Sequence, residues 1–340
     1  REHNKNAQAQ NKFISLSEAR LNKLKLNWDE IDIAKPNKIG ITVFDEVNLS
    51  NLIDYLDWTP FFISWEMKGS YPKILDDKER GDEAKKLFND AQNMLQKIVK
   101  EKWLTAKAVV GIFNANQINE DDIAVYNEKG DEILKFHSIR MNTKKPQGQH
   151  NVALADFIKP FNSSISFEKQ SDYIGAFACS TGFGIDEHVA KFEKNHDDYS
   201  AIMLKALADR LAEALAEYLH QHVRKELWGY AKNETLNNDE LIKETYQGIR
   251  PAPGYPAQPD HLEKLSIWKL LDVEKNTGIK LTDSLAMFPT AAVSGLYIAN
   301  PNSYYFGVGK ITKEQVEDYA KRKNESFEKI ERWLGTILGY

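Results

Sequence analysis

The sequence predicts an α+β fold in which a mainly antiparallel sheet is flanked by helices, and not a Rossmann arrangement. Three observations lead there. Strand-like and helical runs come in blocks instead of strict βαβ alternation. Two of the strand-like runs are joined by the hairpin residues Asn127-Glu128-Lys129-Gly130. The glycine-rich strand-to-helix turn of a dinucleotide-binding unit is missing.

The elements follow in order. Residues 1–40 alternate polar runs with short apolar patches around Pro36 and read as a linker and extended wrapping arm, leaving 41–340 as the domain. The chain opens at Arg1 with the polar run REHNKNAQAQNK, the composition of an interdomain linker in a longer polypeptide or of an end left by N-terminal processing. Residues 47–55 (VNLSNLIDY) are expected to form a short helix capped by Asn48 or Ser50. Helix is expected to stop at Asp57-Trp58-Thr59-Pro60, because the residue before a proline avoids helical geometry. At 82–101, Ala84, Leu87, Ala91, Leu95 and Ile98 recur at helical spacing. Strands are expected at 106–113, 122–126 and 132–138, then a Lys-, Gln- and Asn-rich loop at 142–151, then a strand at 172–179.

A long helix is expected near 186–229, with a break near Asp197. Its alanine-rich middle favours helix and lets other backbones approach closely. Beyond a proline-rich segment the pattern gives a helix at 261–275, strands near 290–299 and 303–311, and a closing helix at 312–334.

Composition narrows the function. With 340 residues, 42% of them hydrophobic and 11% aromatic, the chain can build a large core. A net charge of −5, from 45 basic and 50 acidic residues, argues against nucleic acid as a partner. The lone Cys179 can form neither an internal disulfide nor a multi-thiolate metal site, which fits a reducing compartment. No stretch of about 18 apolar residues and no apolar signal core is present, so a cytoplasmic protein without a membrane partner is expected.

Few motifs carry chemistry. Gly182-Phe183-Gly184 and Gly307-Val308-Gly309 do not continue into a nucleotide fingerprint and read as structural turns or bulges. His220 and His222, two apart on a helix, point to different faces and are not expected to share a metal. The unusual stretch is 244–261 (ETYQGIRPAPGYPAQPDH), where four prolines and Gly254 lie between Arg250 and Pro259. Prolines fix φ and remove donors, so this loop is stiff. It reads either as a ligand platform presenting Arg250 and Tyr255, or as a rigid surface connector.

That run, RPAPGY, closely resembles the signature of the S-adenosylmethionine-binding activation domain of vitamin B12-dependent methionine synthase. Asp54-Tyr55-Leu56-Asp57-Trp58-Thr59-Pro60, Leu154-Ala155-Asp156-Phe157 and His196-Asp197-Asp198-Tyr199 look like that domain too. So do residues 205–213 (KALADRLAE) and 315–320 (QVEDYA), all in the family's order, so that the likeness covers about residue 45 to Tyr340. The resemblance implies a single C-shaped domain with a bent sheet. It implies that Asp57 meets the ligand's ammonium and Arg250 its carboxylate, with Ala252, Gly254 and Tyr255 adding backbone and ring contacts. Arg210 and Glu213 match positions lining the same pocket, and their three-residue spacing independently puts them on one helix face. Glu244, His261 and Tyr305 are carried over as well. The register leaves Tyr304 as the alternative to Tyr305, and Asp209 resembles a residue facing the cobalamin domain.

The chemistry implied is reductive methylation. S-adenosylmethionine, bound here, presents its methyl group to cob(I)alamin formed by one-electron reduction of cob(II)alamin. This restores the cofactor that carries methyl groups from methyltetrahydrofolate to homocysteine. The cobalamin would sit on a neighbouring domain, zinc only in another domain of the full enzyme, and the electron would come from flavodoxin or a flavodoxin-like reductase. A reduced cobalt nucleophile and a thioether leaving group need placement and not proton transfer, so no catalytic side chain and no metal ligand is expected in this chain. A stand-alone small-molecule methyltransferase and a non-enzymatic docking module remain the rival readings.

Overall fold

The computed structural model describes residues 12–170 and 172–340, so the expected linker character of residues 1–11 lies outside the described residues. Helix α1 (Leu16–Leu21) is closed by a capping box between Ser15 and Glu18. From there the chain runs across the molecule. Arg20 pairs with Asp121 and Asp318. Farther on, the backbone N–H groups of Asn37 and Lys38 donate to the carbonyls of Trp228 and Leu227.

Strand β1 (Gly40–Val47) leads into a 3₁₀ helix (Leu49–Tyr55) whose cap is Asn48, accepting from the Ser50 N–H. Helix α2 (Trp58–Ser64) then begins where the proline was expected to end helical structure. Pro60 sits in its first turn, where a missing N–H loses no intrahelical bond, and Asp57 caps the end by accepting from Thr59 N at 3.0 Å. The proline marks a start. In α3 (Gly81–Lys100) all five apolar positions expected from the spacing are buried.

Strands β2 (Thr105–Ile118), β3 (Asp122–Tyr126), β4 (Glu132–His137), β5 (Asp172–Phe183) and β8 (Ala292–Tyr297) form one antiparallel sheet in the order β4-β3-β2-β5-β8. β1 pairs with the first half of β2, on the edge whose second half pairs with β3. The expected long helix is two helices and a turn: α4 (Ile185–Lys194), α5 (Asp198–His222) capped by Asp197, and a π-helical turn (Val223–Leu227). Short helix α6 (Asn238–Ile242) follows. The expected helix at 261–275 is split by Asp272, at φ 47°, into α7 (Glu263–Leu271) and α8 (Val273–Thr277). A small hairpin of β6 (Lys280–Leu281) and β7 (Met287–Phe288), not foreseen from the sequence, precedes β8. The closing helix is likewise two, α9 (Lys313–Lys323) and α10 (Phe327–Trp333), turning at Asn324 with φ 55°.

The strand expected at 303–311 does not form; among the described residues that stretch is irregular. Its place beside β8 is taken. Ile249 and Ile298 exchange backbone hydrogen bonds of 2.9 and 3.0 Å, and Leu296 N donates to Pro251 O at 2.8 Å. Residues 249–251 therefore close that edge.

Alternation in β5 sorts two cores. Phe177 and Cys179 pack with α3 and α5, whereas Ile174, Ala176 and Ala178 pack on the other face with Ile267, Leu270 and Val273 of α7 and α8. The buried alanines of α5 let it lie close to the sheet, and Thr181 Oγ1 donates to the Ala208 carbonyl at 2.8 Å. Among the described residues no helix is long and apolar enough to cross a membrane.

Candidate ligand-binding cleft

Backbone pairing decides where the proline-rich loop aims its side chains. Once residues 249–251 add to β8, side chains must alternate. Ile249 enters the core on the α7 side, while Arg250 points to α5. This approach needs Gly295, because a Cβ there would stand 2.8 Å from Pro251 O and 2.9 Å from the Phe177 ring. Beyond the strand the loop curls tightly, with Gly254 N donating to Gln258 O at 2.8 Å and Tyr255 N to Ala252 O at 3.1 Å. Gly254 has φ +94°, and a Cβ on it would lie 2.1 Å from His261 Cε1. The glycine thus serves both the turn and the close approach of the His261 ring.

Between this loop, α5, β5 and β8 lies a cleft of about 300 Å³. It is lined by Glu213, Glu244, Arg250, Ala252, Tyr255 and Tyr305, and by the apolar Phe177, Val293, Pro256 and Phe306. The volume is at the lower end for small-molecule sites, roughly 300–1,000 Å³. Its mouth is open, with Tyr255 58% and Tyr305 39% exposed.

Six of the ten residues named from the sequence therefore share one cleft. Gly254 and His261 do not line it; they pack against each other within the loop that does. Arg210 stands one turn before Glu213, close enough for its charge to act on the Tyr255 hydroxyl. Asp57 does not line the cleft; its carboxylate caps α2, and the adjoining Leu56 carbonyl is held by Asn238 of α6, on the chain segment that leads to Glu244. The choice between tyrosines resolves by contact. Tyr305 OH accepts from Arg250 N at 2.9 Å, whereas Tyr304 packs on Phe157 and Phe306. Asp209 lies on the exposed side of α5.

The electrostatics center on Arg250. Its Nη1 donates to Glu217 Oε2 at 3.1 Å and to Ala216 O at 3.3 Å, and lies 3.3 Å from His220 Nδ1. Burial, the largest single influence, works against its charge, but Glu217 and the surrounding tyrosines together outweigh it and hold the guanidinium pKa above its usual value. Burial, reinforced by Arg250 and Arg224, drives the His220 pKa far down, so the ring is neutral. With Nδ1 turned to Arg250, its proton sits on Nε2. Burial, with help from Glu217, raises the Glu244 carboxyl against the pull of Arg250. Burial and then Glu213 raise the Tyr255 hydroxyl. One cation on the floor with carboxylates beside it and aromatic rings at the mouth suits a zwitterion attached to a flat ring system.

A wider cavity of about 710 Å³ lies between α1 and α9. Apart from Leu16 and Leu21 it is lined by polar and charged groups of both signs, with nothing to grip an apolar ring. The smaller cleft is the better candidate.

Residues 48–324 match the family described as vitamin B12 dependent methionine synthase, activation domain. The chain belongs to that family. It is also similar to a solved structure of the MetH reactivation domain bound to AdoHcy, at 49% identity and a TM-score of 0.91, covering 97% of this chain and 99% of that one. An activation domain is one part of a multidomain enzyme. The cleft residues that sequence reasoning passed over, Phe177, Val293 and Phe306, are apolar and were indistinguishable from core. Glu217 carried a signal, standing four residues after Glu213 on the same helix face.

Proposed function

We propose that this activation domain binds S-adenosylmethionine in the cleft beneath the 250–258 loop and presents its methyl group to cobalamin held by the neighbouring domain. The carrying observation is the placement of Arg250. Its guanidinium sits at the cleft floor, held by Glu217, with Glu213 and Glu244 lining the same space.

In this reading Arg250 takes the ligand's carboxylate. Glu213 and Glu244 compensate its positive charges, and Tyr255 and Tyr305 flank the nucleoside. Asp57 contributes to the ammonium from the α6 side. Bound cobalamin in its reduced form supplies the nucleophile. This chain's residues hold the sulfonium methyl toward the cleft mouth and keep water away from it. The open mouth supports such presentation to another domain, and an electron donor of flavodoxin type belongs to the same reading.

Calorimetric titration with S-adenosylmethionine and S-adenosylhomocysteine tests it. Saturable one-to-one uptake with a rise in Tm is expected. A melting temperature unmoved at saturating ligand would refute it.

A further inference from the structure

From the cleft inward, α5 and the π-helical turn that follows it carry a stripe of polar residues, Glu213, Glu217, His220 and Arg224, at helical spacing. Arg224 is fully buried, bound by both oxygens of Glu234 at 2.8 Å and seated 4.2 Å over the Tyr246 ring. Its Nη1 lies 3.7 Å from Glu217 Oε1. The segment bearing it is the π-helical turn, closed by Trp228 N to Val223 O at 2.8 Å, and such turns concentrate at functional sites. Neither Arg224 Nη1 nor Glu217 Oε1 makes a hydrogen bond, so the locked arginine acts on Glu217 through its charge, while the other carboxylate oxygen holds Arg250. Every side-chain hydrogen bond of Arg250 to α5 runs through Nη1 alone.

We propose that Glu217 is a positioning residue for recognition of the ligand's carboxylate. Facing the charge of Arg224, which Glu234 locks in place, it clamps Arg250 by Nη1 and leaves the rest of the guanidinium for the cleft. The inference rests on the reading of the cleft as an S-adenosylmethionine site. Glu217 touches no ligand in it; it acts through Arg250. Without its charge, Arg250 would be held only by a carbonyl and a neutral ring nitrogen, and its fork would no longer be fixed against a carboxylate.

The test is calorimetric titration of the 340-residue chain with S-adenosylmethionine and with its decarboxylated form, which differs by that one group. Glu217→Gln is expected to weaken S-adenosylmethionine about tenfold, the worth of a charge-assisted contact, while leaving the decarboxylated ligand within about twofold. In an Arg250→Ala background the same substitution is expected to add no further loss. Glu217→Asp, which keeps the charge one methylene farther back, should fall between, and it carries the test if the glutamine variant fails to fold. Equal loss for both ligands, unchanged affinity, or full additivity with Arg250→Ala would overturn the assignment, since a merely structural role does not select for the carboxylate. Wild-type chain that takes up neither ligand would instead overturn the reading of the cleft itself.

Discussion

Replacing Gly254 by alanine perturbs the cleft through its backbone. The position has φ +94°, and an added methyl carbon would stand 2.1 Å from His261 Cε1 and 2.7 Å from both ring nitrogens, against 3.4–4 Å for ordinary contact. Two costs follow. Holding a non-glycine residue at that φ takes about 1–3 kcal/mol. The ring must also retreat by more than 1 Å, or the loop must lift away from it. For 340 residues the unfolding entropy is about 0.7 kcal/mol per kelvin, so the backbone strain alone lowers Tm by roughly 1–4 °C. Because Gly254 N is tied to Gln258 O, lifting the loop displaces Tyr255 and Ala252, and ligand affinity should fall at least tenfold. The informative comparison is Gly254→Ala made in a His261→Ala background. There the clash is gone and only the backbone strain remains, so the second substitution should cost less than it does in the wild type. Thermal melts of the four proteins, with and without saturating S-adenosylhomocysteine, measure both effects. Strict additivity, or a Gly254→Ala protein that melts and binds like the wild type, would refute the packing of this glycine on His261.

Other expectations can be checked alongside. Arg250→Ala removes the cation at the cleft floor and strands Glu217; S-adenosylmethionine should bind roughly ten- to a hundredfold more weakly by calorimetry, and unchanged affinity would remove Arg250 from the site. Tyr305→Phe leaves the Arg250 N–H to water in place of its acceptor, at a cost of about 0.5–1.5 kcal/mol in stability by thermal melting and with a loss of affinity in the same direction. Burial pushes the Asp172 carboxyl up to about 6. Its folded-state pKa thus lies above the unfolded value, so its contribution is fully present below about pH 4 and is lost as pH rises through 6, by roughly 3 kcal/mol. Asp172→Asn should flatten that slope in urea denaturation at a series of pH values; an unaltered slope would assign it to other groups.

Much of the fold was legible because its signals are local. Five apolar residues at helical spacing placed α3, and Asn127 to Gly130 placed the β3–β4 hairpin. Errors arose where one local rule has two structural uses. Thr59-Pro60 was read as a stop because a proline disfavours helix before it, yet Asp57 stands ready as a cap and makes the same proline a first-turn residue. Residues 303–311 look like a strand in isolation. Only the folded chain reveals that residues 249–251 already occupy the edge of β8. The loss of helix at Asp272 and Asn324 depends on left-handed backbone at single non-glycine residues, which no periodicity announces.

The candidate site divides the same way. The RPAPGY loop and the pair Arg210 and Glu213 were visible as unusual composition and as spacing. Phe177 and Val293 were not, since an apolar residue on a strand looks alike whether it faces a core or a cleft. Asp57 was picked out by its neighbours in sequence; it stands outside the cleft lining, with Oδ1 serving as a helix cap and Oδ2 left for the proposed contact with the ammonium.

The hydroxyl that ties down the start of the cleft loop has a second consequence, for how this molecule behaves in company. Arg250 sits where the outermost row of the sheet would otherwise offer an amide to a passing strand, and the Tyr305 hydroxyl already takes that N–H. A replacement of Tyr305 that freed this N–H would give neighbouring molecules a template to add to. The tyrosine at the cleft mouth therefore also guards solubility, and variants at Tyr305 should be screened for self-association before any change in ligand uptake is interpreted.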